Sequence, residues 1–182
     1  MDLTDKKVLF IIAPKNFRDE ELLGPRRILE GYKAKTLVAS NVTTIINGML
    51  GTKVTPSVNI TNVKVNDYDA IIFVGGSGSS VYFNDKVVLN IAKEANLKGK
   101  ILASICLASG ILANAGIFKG KDATGWPDTK EMIEKNGGIY TNSDLEVSGR
   151  IISAKGPNVA KKFGEAIAKA LESSNKGEDE FV

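Results

Sequence analysis

Four short apolar runs punctuate the chain at residues 8–13, 36–39, 70–74 and 101–105. Each is continuous rather than alternating. A strand that is apolar on both sides is covered on both faces, so these runs predict the buried strands of a parallel sheet. Helical spacing separates most of them. After the first run, Leu22, Leu23, Ile28, Leu29 and Tyr32 recur at near-helical intervals, and Gly24-Pro25 predicts a kink or restart among them. After the third, Val87, Val88, Ile91, Ala92 and Ala95 define a helical face, capped by Asn84 or Asp85. After the fourth, Leu107, Ile111, Leu112 and Ala115 do the same and stop at Gly116.

This alternation predicts an α/β fold, a three-layer doubly wound sandwich of flavodoxin-like type with a mostly parallel central sheet. Two stretches depart from it. Residues 43–60 carry β-branched residues and turn glycines, which predict a small antiparallel excursion. Residues 145–147 and 150–152 flank Ser148-Gly149 as the arms of a hairpin. Gly156-Pro157-Asn158 opens a last helix whose inward face is Phe163, Ala166, Ile167, Ala170 and Leu171. One domain is expected over residues 1–172, and the aperiodic residues 173–182 are expected to form a disordered tail.

Composition narrows the function. With 43% apolar and 25% charged residues the chain reads as an ordinary globular protein. Its 24 basic and 21 acidic residues leave a net charge of +3, and the lysines are scattered without aromatic interleaving, so no nucleic-acid partner is expected. No run approaches the roughly 18 apolar residues of a membrane span. The run at residues 8–13 is also too short for the core of a signal peptide. The expected location is cytoplasmic, with no membrane partner.

Cys106 is the single cysteine, and the chain has no histidine. An internal disulfide is excluded, and a transition-metal site would need carboxylates alone, so neither metal nor cofactor is expected. Cys106 follows an apolar strand-like run and precedes a small-residue helical run. Ligands of open α/β sheets bind at the carboxyl ends of strands. A sharp strand-to-helix turn there exposes the side chain and aims the next backbone N–H, that of Leu107, into the same space. A helix N-terminus at that point would lower the thiol from its usual value of about 8.5. Glu21, beside Glu20, follows the first strand. If the first and fourth strands are neighbours, its carboxyl reaches the thiol. Protonated, it would hydrogen-bond a thiolate or an oxidised sulfur; ionised, it would oppose a thiolate. Gly75-Gly76-Ser77-Gly78 ends the third run without the lysine of a P-loop or the third glycine of a dinucleotide fingerprint. Its open backbone suits an oxyanion beside Cys106. The plainer readings are a packed core cysteine, acids favoured by a helix's first turn, and a tight glycine turn.

Phe17-x-Asp19-x-Glu21-Leu22, Gly75-Gly76-x-Gly78 and Ala103-Ser104-Ile105-Cys106 resemble the DJ-1/PfpI superfamily, with its class I glutamine amidotransferase-like fold. Gly116-Ile117-Phe118-Lys119-Gly120-Lys121 and Lys155-Gly156-Pro157 fit it too, and the resemblance runs in order over residues 7–171. It implies that Cys106 is a reactive cysteine and that Glu21 contacts its sulfur. It also implies that Gly75, Gly76 and Leu107 supply backbone donors to a substrate oxygen, and that the chain forms a homodimer or larger homo-oligomer. The departures carry as much information. PfpI-type peptidases place His directly after the nucleophile, where this chain has Leu107. DJ-1-like members carry His in a Thr-His-Pro segment; Ala123-Thr124-Gly125-Trp126-Pro127 puts Trp126 there, as the wall of an apolar pocket or a packing plug. The amidotransferases need a C-terminal histidine. A Cys–His dyad or triad is excluded by composition, and PfpI-type peptidase chemistry with it.

Three functions follow from the resemblance. The first is a redox-responsive, stress-related protein in which Cys106 oxidises to sulfenic or sulfinic acid, with no second cysteine to resolve it. The second is a glyoxalase III or deglycase-type enzyme acting on small reactive aldehydes, with Cys106 as nucleophile and Glu21 as proton shuttle. The third is a chaperone-like or scaffold binding module.

Overall fold

A computed structural model describes residues 1–176 of the chain. β1 (Lys7–Ile11), α1 (Asp19–Gly31) and β2 (Lys35–Ser40) open the fold. β3 (Ile46–Asn47) and β4 (Lys53–Val54) form a detached antiparallel pair, and β5 (Val58–Asn59) follows. β6 (Ala70–Phe73), α2 (Lys86–Leu97), β7 (Ile101–Ile105) and α3 (Ser109–Asn114) build the centre. β8 (Asp122–Ala123) and β9 (Ile139–Tyr140) pair across α4 (Lys130–Lys135). β10 (Leu145–Ser148), β11 (Ile151–Ala154) and α5 (Ala160–Lys176) close the chain.

The seven-stranded sheet has the order β10-β11-β7-β6-β1-β2-β5, and every pairing except β10 with β11 is parallel. The strand order reverses between β1 and β6, the switch point of a flavodoxin-like sheet. The strands of the first and fourth apolar runs are therefore not neighbours: β6 lies between β1 and β7. Along β1 and its extension, Val8, Phe10 and Ile12 pack with Leu22 and Leu29 of α1 and Phe163, Ile167 and Leu171 of α5. Leu9, Ile11 and Ala13 pack on the other face with Val88 and Ile91 of α2 and Ile111 and Leu112 of α3. Burial of alternate residues in two layers is why the strands read as continuous apolar runs.

α1 passes through Gly24-Pro25 without a break. A Cβ on Gly24 would lie 3.2 Å from the Ala160 Cβ, and one on Gly164 would lie 2.8 Å from the Pro25 Cα. The glycines let α1 and α5 approach closely, and that tertiary contact overrides the local preference of proline to end the helix. Asp85 caps α2, its carboxylate accepting from the Val87 and Val88 N–H groups at 2.9 and 3.0 Å. The β10–β11 hairpin turns on Gly149-Arg150, one residue beyond the expected pair, with Gly149 at φ +62°.

Only part of the 43–60 excursion is detached: β5 joins the parallel sheet at its edge beside β2. α5 continues to Lys176, so residues 173–176 of the expected tail are helical, and residues 177–182 lie outside the described residues. Lysines that are scattered in sequence meet in space. Lys98, Lys100, Arg150, Lys161 and Lys169 border a groove of about 1070 Å³ at the end of β7 opposite Cys106. That groove is larger than the pocket at Cys106 but has no cysteine among its lining residues. Among the described residues no helix is long and apolar enough to cross a membrane.

The α1–α5 contact makes a paired prediction. Gly164→Ala should lower unfolding stability in urea by about 1–3 kcal/mol through overpacking. Gly31→Ala, with no atom within 4 Å of its new Cβ, should be neutral or stabilise by up to about 1 kcal/mol. Equal stabilities for Gly164→Ala and the native protein would contradict the close-packing argument.

Candidate active site

β7 runs directly into Cys106, whose backbone sits at φ +60°. For a residue with a Cβ this left-handed conformation costs roughly 1–3 kcal/mol and persists only when the surroundings enforce it. Several contacts do so. The Trp126 N–H donates to the Cys106 carbonyl at 3.1 Å. Below the turn, the Ser104 and Ser109 hydroxyls meet at 2.9 Å, and the Ser109 hydroxyl donates to the Thr124 carbonyl at 2.9 Å. The Thr124 N–H in turn donates to the Ser153 hydroxyl at 3.0 Å. A buried polar chain thus straps the 123–126 loop to the cysteine turn. A 3-10 turn, Cys106–Ala108, then leads into α3.

Glu21 lies in the first turn of α1 and is 0% exposed. Its carboxyl approaches Cys106 past the end of the intervening strand β6. The residue there is Gly75, and a Cβ on it would fall 2.5 Å from Glu21 Oε2, 2.7 Å from the Ile105 carbonyl and 2.8 Å from the Cys106 Cβ. Glycine is required because it leaves the gap through which a carboxyl from one side meets a thiol from the other. The next glycines serve the 15–18 loop. Gly76, at φ +103°, lies against the Arg18 nitrogen, and a Cβ there would be 2.5 Å from the Asn16 carbonyl. A Cβ on Gly78 would collide with the Lys15 carbonyl.

Neither Glu21 oxygen makes a hydrogen bond of full geometry. Burial pushes its carboxyl up to about 8; weaker contacts with the Cys106 thiol and the Gly75 N–H oppose the shift without cancelling it. Glu21 therefore carries its proton at pH 7. Burial also pushes the 7%-exposed Cys106 thiol up, to about 12, and the Glu21 charge adds to it. The Leu107 and Gly76 N–H groups act in the opposite direction. The lowering expected from a helix N-terminus is thus overridden. α3 has six residues and starts three positions beyond the sulfur, so desolvation dominates. Of the two groups Glu21 is thus the more acidic. The backbone donors divide accordingly: Gly75 serves Glu21, whereas Gly76 and Leu107 serve the sulfur.

A pocket of about 210 Å³ opens at the sulfur, walled by Arg18, Glu21, Met49, Leu107, Trp126 and Pro157. Trp126 is 42% exposed, and a Cβ on Gly156 would sit 3.2 Å from its ring. It packs on that glycine while forming a wall of the pocket. Arg18, Met49 and Pro157 were not singled out by sequence reasoning. Met49 arrives through the β3–β4 excursion, which is anchored by the buried Asp19. The Asp19 carboxylate accepts from the Leu50 and Thr52 N–H groups, both at 2.8 Å, and a Cβ on Gly48 would lie 2.5 Å from it. Burial alone would raise the Asp19 carboxyl, but bonds from Thr52 and Leu50 outweigh it and hold it below its usual range. An acid at a helix start, with a turn glycine far along the chain at position 48, carries no sequence signal for that contact.

A flavodoxin-like sheet with a strained cysteine at a strand-to-helix turn defines an α/β protein of the nucleophile-elbow class. The chain belongs to the DJ-1/PfpI family, which it matches over residues 6–170. It is 41% identical to an uncharacterized protein of Methanocaldococcus jannaschii over 178 residues, 96% of this chain and 87% of that one. It is 31% identical to a deglycase of Pyrococcus abyssi over 150 residues, 82% of this chain and 90% of the relative. The crystal structure of a ThiJ/PfpI domain protein from Brachyspira murdochii superposes with a TM-score of 0.90 at 28% identity, covering 95% of this chain and 99% of that one.

The Glu21 proton makes stability pH-dependent with a definite sign. Between about pH 4.5 and 8 the unfolded carboxyl ionises while the folded one keeps its proton, so folding loses ground as pH rises. The loss is at most about 1.4 kcal/mol per pH unit and levels off above the folded value. Glu21→Gln has no such proton. Denaturant titrations at pH 5 and pH 8 should therefore show the variant gaining on the native protein as pH rises. Parallel pH dependences would contradict a protonated Glu21.

Proposed function

We propose that Cys106 is an oxidant-responsive thiol that is taken through sulfenic to sulfinic acid, in a site that does not carry out Cys–His hydrolysis. The observation that carries this reading is the convergence of the Leu107 and Gly76 N–H groups and the protonated Glu21 on one sulfur. The Leu107 and Gly76 N–H groups lower the thiol against its burial, and the reaction draws on the fraction of thiolate that they support. Glu21 keeps its proton. The thiolate then attacks a peroxide oxygen: an S–O bond forms, the O–O bond breaks, and the departing oxygen takes a proton to become water or an alcohol. A second equivalent of peroxide converts sulfenic to sulfinic acid. The resulting anion has the Glu21 O–H and backbone N–H groups as donors, and hydrogen bonds to an anion are the stronger kind. The chain has no second cysteine to intercept the sulfenic acid.

A deglycase-type reaction is the second reading, supported by the Pyrococcus relative of that name and by the pocket volume. About 210 Å³ is smaller than the roughly 300–1,000 Å³ of drug-sized sites and suits a carbonyl compound of a few heavy atoms. The thiolate would add to the carbonyl carbon while Glu21 passes a proton to the oxygen. Without a histidine, Glu21 is the proton carrier at the sulfur, and lacking a second positioned acid or base costs on the order of 10²–10⁴ in rate.

Low equivalents of peroxide followed by intact mass measurement test the first reading. The native protein should gain two oxygen atoms and Cys106→Ser should gain none; a native thiol left unmodified would contradict it. In parallel, 2-hydroxy acid formed from methylglyoxal above the Cys106→Ala background would favour the second reading, and none above it would remove that reading.

A further inference from the structure

We propose that Arg18 is an anion-recognising residue of the Cys106 pocket, and that this site takes compact carbonyl compounds bearing a carboxylate, the 2-oxo acids and glyoxylate. The proposal rests on the reading of Cys106 as a reactive thiol and adds the class of compound that reaches it.

Among the described residues that wall the pocket, Arg18 is the one cation, and Glu21, neutral at pH 7, is the one acid. The pocket therefore presents net positive charge beside the nucleophile. Arg18 is also held in register with the reacting groups. Its N–H donates to the Gly75 carbonyl at 2.9 Å, so its backbone is tied to the same glycine that sits between Glu21 and Cys106. On its side chain, Nε and Nη2 donate to the Glu20 carboxylate at 2.8 and 3.1 Å. Glu20 thus orients the guanidinium from one edge and leaves the Nη1 edge free of it. A guanidinium has five N–H donors, and a carboxylate matches two at a time. Glu20 is 44% exposed at its side chain and is not a pocket wall, so its charge is well solvated and only partly offsets Arg18.

The remaining walls limit what the carboxylate can be attached to. Met49, Leu107 and Trp126 are apolar, and the volume admits a skeleton of only a few carbons. A small 2-oxo acid satisfies all three conditions. Its carboxylate meets Arg18 and its carbonyl carbon meets the sulfur. Addition forms an S–C bond and breaks the C=O π bond; the carbonyl oxygen receives the electron pair and the proton that the thiol gave up. The product is a hemithioketal, or a hemithioacetal from glyoxylate, and no oxidant or reductant is consumed.

Two alkylating reagents read this directly, because iodoacetate and iodoacetamide share a leaving group and differ in the carboxylate. The measured quantity is the rate ratio of iodoacetate to iodoacetamide at Cys106, relative to the same ratio for N-acetylcysteine. The native ratio should exceed the reference by about five- to tenfold. Arg18→Gln should bring it back to the reference, and Glu20→Gln, which releases the guanidinium, should raise it. A change in folding or in thiol pKa alters both rates alike and leaves the ratio unmoved. Glyoxylate should also protect native Cys106 from iodoacetamide better than methylglyoxal does, with that preference lost in Arg18→Gln. Equal ratios in native protein and Arg18→Gln would overturn the proposal. A Cys106 inert to both reagents would instead contradict the reactive-thiol reading beneath it.

Discussion

The approach of Glu21 to Cys106 past Gly75 is the constraint on which the rest of this site depends. The two residues belong to opposite sides of a strand, since β6 separates β1 from β7. Only a residue without a side chain at the end of β6 lets the carboxyl reach the sulfur, because a Cβ there would fall 2.5 Å from Glu21 Oε2 and 2.8 Å from the Cys106 Cβ. The neighbouring glycines have the same origin. They admit the 15–18 loop, which brings Arg18 to the pocket and fixes its N–H on the Gly75 carbonyl. Closure of that small volume excludes water from Glu21, and exclusion of water is what keeps its proton in place.

The absence of histidine gives that proton its importance. The resemblance leads one to expect an imidazole directly after Cys106 or in the neighbouring loop, and the chain has Leu107 and Trp126 there. Trp126 is strapped to the cysteine turn by its backbone N–H and seated on Gly156. Leu107 and Trp126 both present apolar walls to the pocket. Glu21 is then the acid beside the cysteine, and Arg18 is the cationic residue among those lining the pocket. Such a site is suited to stabilising an anion at sulfur or adding sulfur to a small electrophile, and poorly suited to activating water.

How much of this was legible in the sequence follows from the range of each interaction. The two-faced burial of β1, β6 and β7 shows in their uninterrupted apolar runs because each residue reports its own environment. The cysteine turn was legible for the same reason, being a junction of two local patterns. Strand order was not, since β6 enters between β1 and β7 through pairings far apart in sequence. Pro25 reads as a break because its locking effect is local, whereas the α5 contact that keeps it helical is 139 residues away at Gly164. The direction of the Cys106 shift was misread for a related reason: the helix that would lower it is visible in sequence, and the desolvation that raises it is not. Arg18 stood within a recognised motif but at one of its variable positions, so only the folded pocket gave it a role.

The central claim is that Glu21 retains its proton at pH 7 beside a thiol that burial holds protonated to still higher pH. An infrared titration from pH 6 to 10, native protein minus Glu21→Gln, observes both groups at once through the carboxylic C=O and the S–H stretches. Cys106 is the single cysteine, so the S–H band has one source. The account predicts a protonated-carboxyl band for Glu21 at pH 7 that fades near pH 8 while the S–H band persists. A Glu21 already ionised at pH 7, or an S–H band that vanishes while the carboxyl band remains, would contradict it.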